Sequence, residues 1–176
     1  MLEAAALHLS GEVDDHRPLL EVAEFETRGL AAAHAVTLAH LGIEAFHRHD
    51  ESSGSQYVRR AIEEVTASGL RQFGHIAIVF AGNSSALAHA GAVEPSRRAS
   101  EHVEHLLSTL DTVHQRSHIQ HHLILAEAAL IRGERATALR LLRYAQNRLP
   151  REPDAVVLHR WAERIALRCS SDDGLP

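Results

Sequence analysis

Residues 117–150 read SHIQHHLILAEAALIRGERATALRLLRYAQNRLP. Leu123, Leu125, Ala126, Ala129 and Leu130 share one broad apolar face at helical spacing. Gly133 follows, a residue free to adopt the positive φ that ends a helix. After a very short turn, Ala138, Leu141, Leu142 and Ala145 recur at i, i+3, i+4 and i+7. Pro150 then stops the pattern. A turn this short forces two helices antiparallel, so their apolar faces bury each other. The stretch therefore predicts a helical hairpin, with Ala138 and Ala145 buried at the crossing.

The hairpin recurs along the chain. Short breaks after apolar runs fall at His49-Asp50, Gly91-Ala92 and Gly133-Glu134, and their first positions are evenly spaced (91 − 49 = 42; 133 − 91 = 42). An earlier break, Gly11-Glu12, lies 38 residues before His49. Set at His49, the same frame places Leu41-Gly42, Val58 and Ala61. Set at Gly91 it places Ser84, Ser100 and Val103, a weaker set, and from Gly11 it gives Leu20 and Ala23. Glu94-Pro95-Ser96 reads as the start of the middle unit's second helix, after a longer turn. Helices are expected near 2–9, 14–26, 29–48, 55–68, 72–90, 95–110, 115–132, 135–148 and 153–168. Ser68-Gly69 and Pro150-Arg151-Glu152-Pro153 mark turns between repeats. No linker divides the chain, so 1–169 is expected to form one domain, followed by a polar, disordered tail over 170–176.

Composition agrees with packed helices. Hydrophobic residues make up 45% and aromatics only 4%, with Ala and Leu carrying the apolar content. A β-sandwich would want more Val, Ile, Tyr and Phe. The aromatics Phe25, Phe46, Tyr57, Phe73, Phe80, Tyr144 and Trp161 fall roughly one per helix, as core knobs do. The net charge of −5 argues against wrapping nucleic acid, because phosphate contacts dominate that affinity. All 18 basic residues are Arg. Arg135, Arg140, Arg143, Arg148 and Arg151 form the densest basic stretch, which reads as the polar face of one helix or as a site for an acidic peptide. A single cysteine, Cys169, excludes an intramolecular disulfide framework and fits a reducing compartment, so the expected location is the cytoplasm. No apolar run reaches the roughly 18–20 residues of a membrane span.

Histidine is the anomaly, with 15 copies. His114, His118 and His122 lie at i, i+4 and i+8, and two imidazoles one turn apart can chelate a transition metal. The other reading is a solvated face, and both stay open. No HExxH, GxxxxGK[ST], GxGxxG or GxSxG pattern occurs, and Cys169 has no neighbours that would activate a nucleophile. No catalytic residue and no cofactor is therefore assigned.

Leu125-Ala126, Gly133, Ala138, Leu142, Ala145 and Pro150 resemble the tetratricopeptide pattern of small and large residues, with spacings of 7, 5, 4, 3 and 5 from Ala126. The resemblance implies an all-α, right-handed solenoid of about four antiparallel hairpins. Two stretches also look like parts of the large ATP-dependent LuxR-type, maltose-regulator-like transcription regulators: Arg60 to Leu70, and Leu125 to Ala136 with Leu149-Pro150-Arg151-Glu152-Pro153. In that family a helical array lies between a nucleotide-binding switch and a DNA-binding module, and it senses inducers or partner proteins. The phosphate-binding loop and helix-turn-helix of that family are not matched here, so ATPase and DNA-binding roles do not carry over.

The expectation is a helical-repeat interaction or sensor module and not an enzyme. Its concave face would take a protein segment or small inducer, with no nucleic-acid or membrane contact. The residues expected there are His34, Thr37, His40, Gln72, His75, Asn83, His118 and His122. A His-based metal or small-molecule site and a homo-oligomeric (homodimer) structural module are the alternatives.

Overall fold

The structure, a computed structural model, describes residues 17–71, 76–109 and 114–171. Among them are eight α-helices and no strand. They are α1 (Arg17–Thr27), α2 (Ala31–His47), α3 (Glu51–Ala67), α4 (Ala77–His89), α5 (Val93–Thr109), α6 (Gln115–Ile131), α7 (Arg135–Gln146) and α8 (Val156–Ser170). No helix among the described residues is long and apolar enough to cross a membrane. The expected helix at 2–9, the break at Gly11-Glu12, and Gln72, Phe73 and His75 lie outside the described residues. So do 172–176 of the expected tail, whose first residue, Ser170, is the last of α8.

The 42-residue period is kept to the residue. Helices α2, α4 and α6 end at His47, His89 and Ile131, and α3, α5 and α7 begin at Glu51, Val93 and Arg135 (89 − 47 = 131 − 89 = 42; 93 − 51 = 135 − 93 = 42). One turn joins each pair. His49, Gly91 and Gly133 adopt φ of 62°, 71° and 78°. Each chain then folds back its next amide: Asp50 N–H donates to Ala45 O at 2.9 Å, Ala92 to Leu87 O at 2.9 Å and Glu134 to Ala129 O at 2.8 Å. This 6→1 bond, with left-handed backbone just before it, is the Schellman helix end. The longer turn expected in the middle unit does not occur. Its turn is Ala90-Gly91-Ala92, and Pro95 sits in the first turn of α5, where a missing N–H costs nothing. Pro150 does not end α7 either. That helix stops at Gln146, and Pro150 lies in the 3-10 turn Leu149–Arg151.

Within each pair α2/α3, α4/α5 and α6/α7 the two helices pack more extensively on each other than on any other helix, while α2, α4, α6 and α8 contact one another in succession. The crossings use small residues twelve positions apart: Gly42 and Gly54, Ser84 and Ser96, Ala126 and Ala138. A Cβ on Gly42 would lie 2.7 Å from Val58 and 3.1 Å from the Gly54 carbonyl, so these backbones touch. In the middle pair the small residues are hydroxyls. Ser96 Oγ donates to the Ser84 carbonyl at 2.7 Å, and Ser84 and Ser100 hydroxyls meet at 2.7 Å. That chemistry explains why the frame reads weakly there. Leu41, Leu125, Ala126, Ala138, Leu142 and Ala145 are all buried, while Gly91, Gly133 and Pro150 lie in exposed turns. The core between the layers holds Leu38, Val65, Ile76, Ile119, Leu123, Leu141, Leu158 and Ile165. Each contributes about 1.5–3 kcal/mol on burial. Phe46 and Trp161 are core residues, but Phe25 is 69% exposed, with Arg28 over its ring at 5.1 Å.

Candidate functional site

The C-terminal ends of α2, α4 and α6, with the face of α8, surround a cavity of about 510 Å³. Two positions of each repeat build it, one helical turn apart. Ile43, Ser85 and Glu127 occupy the first, and His47, His89 and Ile131 the second, each set spaced by 42. Helix α8 presents the same i, i+4 pair as Arg164 and Arg168, with Trp161 one turn earlier. Phe46, His49 and Ile124 complete the wall.

The cavity is a cup because its first and last helices meet. The His47 ring packs edge-on against Trp161, with centroids 4.4 Å apart and an interplanar angle of 88°. His47 Nε2 also lies 3.5 Å from Glu127 Oε2, and Arg168 Nη1 lies 3.9 Å from Glu127 Oε1. Glu127 thus ties α2, α6 and α8 together. Burial pushes its carboxyl upward, but His47, the nearby Trp161 indole and Arg164 outweigh this and hold it below its ordinary value, so it is ionised at neutral pH. The indole N–H of Trp161, itself 1% exposed, approaches this carboxylate without reaching hydrogen-bond geometry. On the other wall, His89 stacks on Phe46 at 4.8 Å and 6°, and its Nδ1 lies 3.1 Å from Glu51.

None of the expected face residues that the structure describes lines this cup. His34 and Thr37 are buried: His34 Nε2 lies 3.4 Å from Glu24, and Thr37 Oγ donates to the Ala33 carbonyl at 2.9 Å. His40 and Asn83 are half-buried. His118 and His122 sit on the first half of α6, where His122 stacks on Tyr144 at 3.7 Å and bonds the His118 carbonyl through Nδ1 at 2.8 Å. These residues occupy the N-terminal halves or middles of α2, α4 and α6, whereas the cup lies at the C-terminal ends. His114 does not converge with the other two candidate metal ligands, because its Nδ1 accepts from Arg116 N–H at 3.3 Å as the cap of α6. Among the described residues no group of three or more His, Cys, Asp or Glu side chains is placed to hold a metal ion. Cys169 is buried in α8, and that burial pushes its thiol up.

The signal that finds the cup was in the register all along: Ile43, Ser85 and Glu127 stand six residues before the three breaks, and His47, His89 and Ile131 two residues before them. A second polar cluster lies on the opposite layer. Arg132, whose side chain is 1% exposed, donates from Nη1 to Ser96 Oγ at 2.7 Å and from Nη2 to Glu134 at 2.8 Å. Arg97 donates to the same Glu134 at 2.7 Å, so this cluster is a closed ionic lock between repeats. Compared with known proteins, the chain matches no protein-family model, no curated protein and no solved structure.

Proposed function

We propose that this chain is a binding or sensor module, not an enzyme: a right-handed solenoid of tetratricopeptide-like hairpins whose cup receives a small inducer or a protein segment. The observation that carries this reading is the contrast between two registers of one repeat. At the helix crossing the three repeats hold Gly42, Ser84 and Ala126, which are all small, as stacking requires. At the cup they hold Ile43, Ser85 and Glu127, then His47, His89 and Ile131, which differ in size, polarity and charge. A scaffold that only stacks needs no such diversity on its inward face, whereas a binding site does. The resemblance of residues 60–70 and 125–136 to LuxR-type regulators extends the reading to the sensing part of a transcription regulator.

Native mass spectrometry of the protein with a pool of metabolites and short peptides tests it. Any ligand retained by the wild type should be lost from Ser85→Trp, which fills the cup from α4. Retention by a folded Ser85→Trp variant would place binding elsewhere and end this assignment.

A further inference from the structure

Resting on that reading, we propose that the cup takes a small organic acid, its apolar body on Ile43, Phe46, Ile124 and Ile131 and its carboxylate on Arg164 and Arg168.

Shape excludes an extended chain running through. His47 of α2 touches both Glu127 of α6 and Trp161 of α8, so the ring of helix ends is closed on that side. The volume of about 510 Å³ falls in the range of small-molecule pockets, roughly 300–1,000 Å³. Charge selects the head group. Among the described residues Glu127 is the only carboxylate in the wall, against the two guanidiniums of Arg164 and Arg168, and His47, His49 and His89 add imidazoles. Glu127 is already faced by His47 and Arg168, so a cationic ligand would have to displace them and then meet Arg164.

The two arginines are poised for an anion. They stand one turn apart on α8, on the face that carries Trp161, so both reach one mouth. Arg164 makes no ion pair within 4.0 Å to a carboxylate of the described residues. Arg168 has only the loose 3.9 Å contact to Glu127 and is half-exposed, a contact that costs little to give up. Guanidinium forks match the two oxygens of a carboxylate. The apolar wall supplies the rest of the affinity.

Octanoate is the probe, with octanol, octylammonium and acetate as controls, followed by calorimetry and by the fluorescence of Trp161, the sole tryptophan. Octanoate should bind one site per chain, and octanol and octylammonium about tenfold more weakly or worse. Acetate should show no saturation. The double variant Arg164→Gln/Arg168→Gln should erase the preference for octanoate over octanol while keeping the wild-type circular dichroism at the temperature of the titration. Equal binding of octanol, tighter binding of octylammonium, no binding of octanoate, or an unchanged preference in the double variant overturns the proposal. If another ligand is held in a Ser85→Trp-sensitive way when octanoate fails, the acid assignment falls and the binding-module reading stands. If no ligand is held in that way, both fall.

Discussion

His47 of α2 and Trp161 of α8 meet edge-to-face, with ring centroids 4.4 Å apart, and so join the first and last helices that wall the cup. An aromatic pair of this kind is worth about 0.5–1.5 kcal/mol beyond its buried area. His47→Ala also removes the 3.5 Å contact to Glu127. The variant should lose about 1–2 kcal/mol in chemical denaturation, and the Trp161 emission should shift to the red as water reaches the ring. An unshifted spectrum would mean that the cup is closed by other contacts.

Arg132 makes a sharper prediction, because its buried guanidinium serves two repeats. It bonds Ser96 of α5 in the preceding hairpin and Glu134, the residue before α7 in its own hairpin. Arg132→Ala leaves Glu134 with Arg97 and strands the serine hydroxyls around an empty space. The expected cost is about 2–4 kcal/mol, below the usual range for a broken buried pair because Arg97 remains. Arg132→Met, which refills the volume, should cost less. Equal losses for the two variants would show that volume is irrelevant there.

The turns offer a stabilising change. His49 holds a φ of 62° that its repeat partners Gly91 and Gly133 adopt without penalty. Left-handed backbone costs a side-chain-bearing residue about 1–2 kcal/mol, against the ~0.5–1 kcal/mol of extra chain entropy that glycine loses. His49→Gly should therefore gain roughly 0.5–1 kcal/mol, and Gly133→Ala should lose about 1 kcal/mol or more. Melting temperatures of the two single variants decide this, and a His49→Gly variant no more stable than wild type counts against it.

The repeat was legible because glycine at Gly91 and Gly133 marks positive φ directly. His49 was legible only by its spacing from them. Most helix bounds followed, since Ala and Leu at helical spacing leave few alternatives between breaks, but α3 begins at Glu51 and not near 55, and α8 runs from Val156 to Ser170 and not over 153–168. The cup was not among the sequence expectations. Polar residues such as His34, Thr37 and His118 drew the expectation to the N-terminal halves and middles of the helices, where the structure buries His34 and Thr37 and bonds them internally and leaves His118 half-buried. Which face points inward depends on how α8 closes onto α2. Helix α8 breaks the period, because Arg164 stands 37 residues after Glu127 and not 42 (164 − 127 = 37). A local pattern cannot carry a contact between the ends of the array.

Crossing distances predict which substitutions overpack. Ala138 is fully buried against α6, so Ala138→Leu should cost about 1–3 kcal/mol. Gly54→Ala would set a Cβ 2.6 Å from the Phe46 ring, which must then move within the cup wall. It should cost a similar ~1–3 kcal/mol and also change cup binding. Urea denaturation separates the two: a neutral Ala138→Leu would mean that the hairpin frame is misplaced.

Acid should unfold this protein in an order set by its buried imidazoles. Burial lowers His121 to about 3, and His40 and His122 to about 4, from an ordinary value of 6.5. The Nδ1 atoms of His121 and His122 donate to the Ser117 and His118 carbonyls, which favours the charged ring, but burial outweighs this. The sign follows from proton binding. Above pH 6.5 these histidines are neutral in both states and make no difference. Below 6.5 the unfolded chain takes up protons that the folded chain refuses, so stability falls, and it goes on falling until the folded values near 4 and 3. Each histidine contributes at most about 1.4 kcal/mol per pH unit in that window. At roughly 2–4 °C per kcal/mol, and with three such histidines, melting should drop by about 10 °C or more between pH 6.5 and 5. The carboxyls of Glu24 and Glu134, held below 4.5 by arginine partners, add their loss only below that pH. His121→Asn, which keeps a donor at the Nδ1 position, should flatten the first part of the curve. A melting temperature constant from pH 7 to 5 in the wild type would show that these rings are not buried as neutral imidazoles.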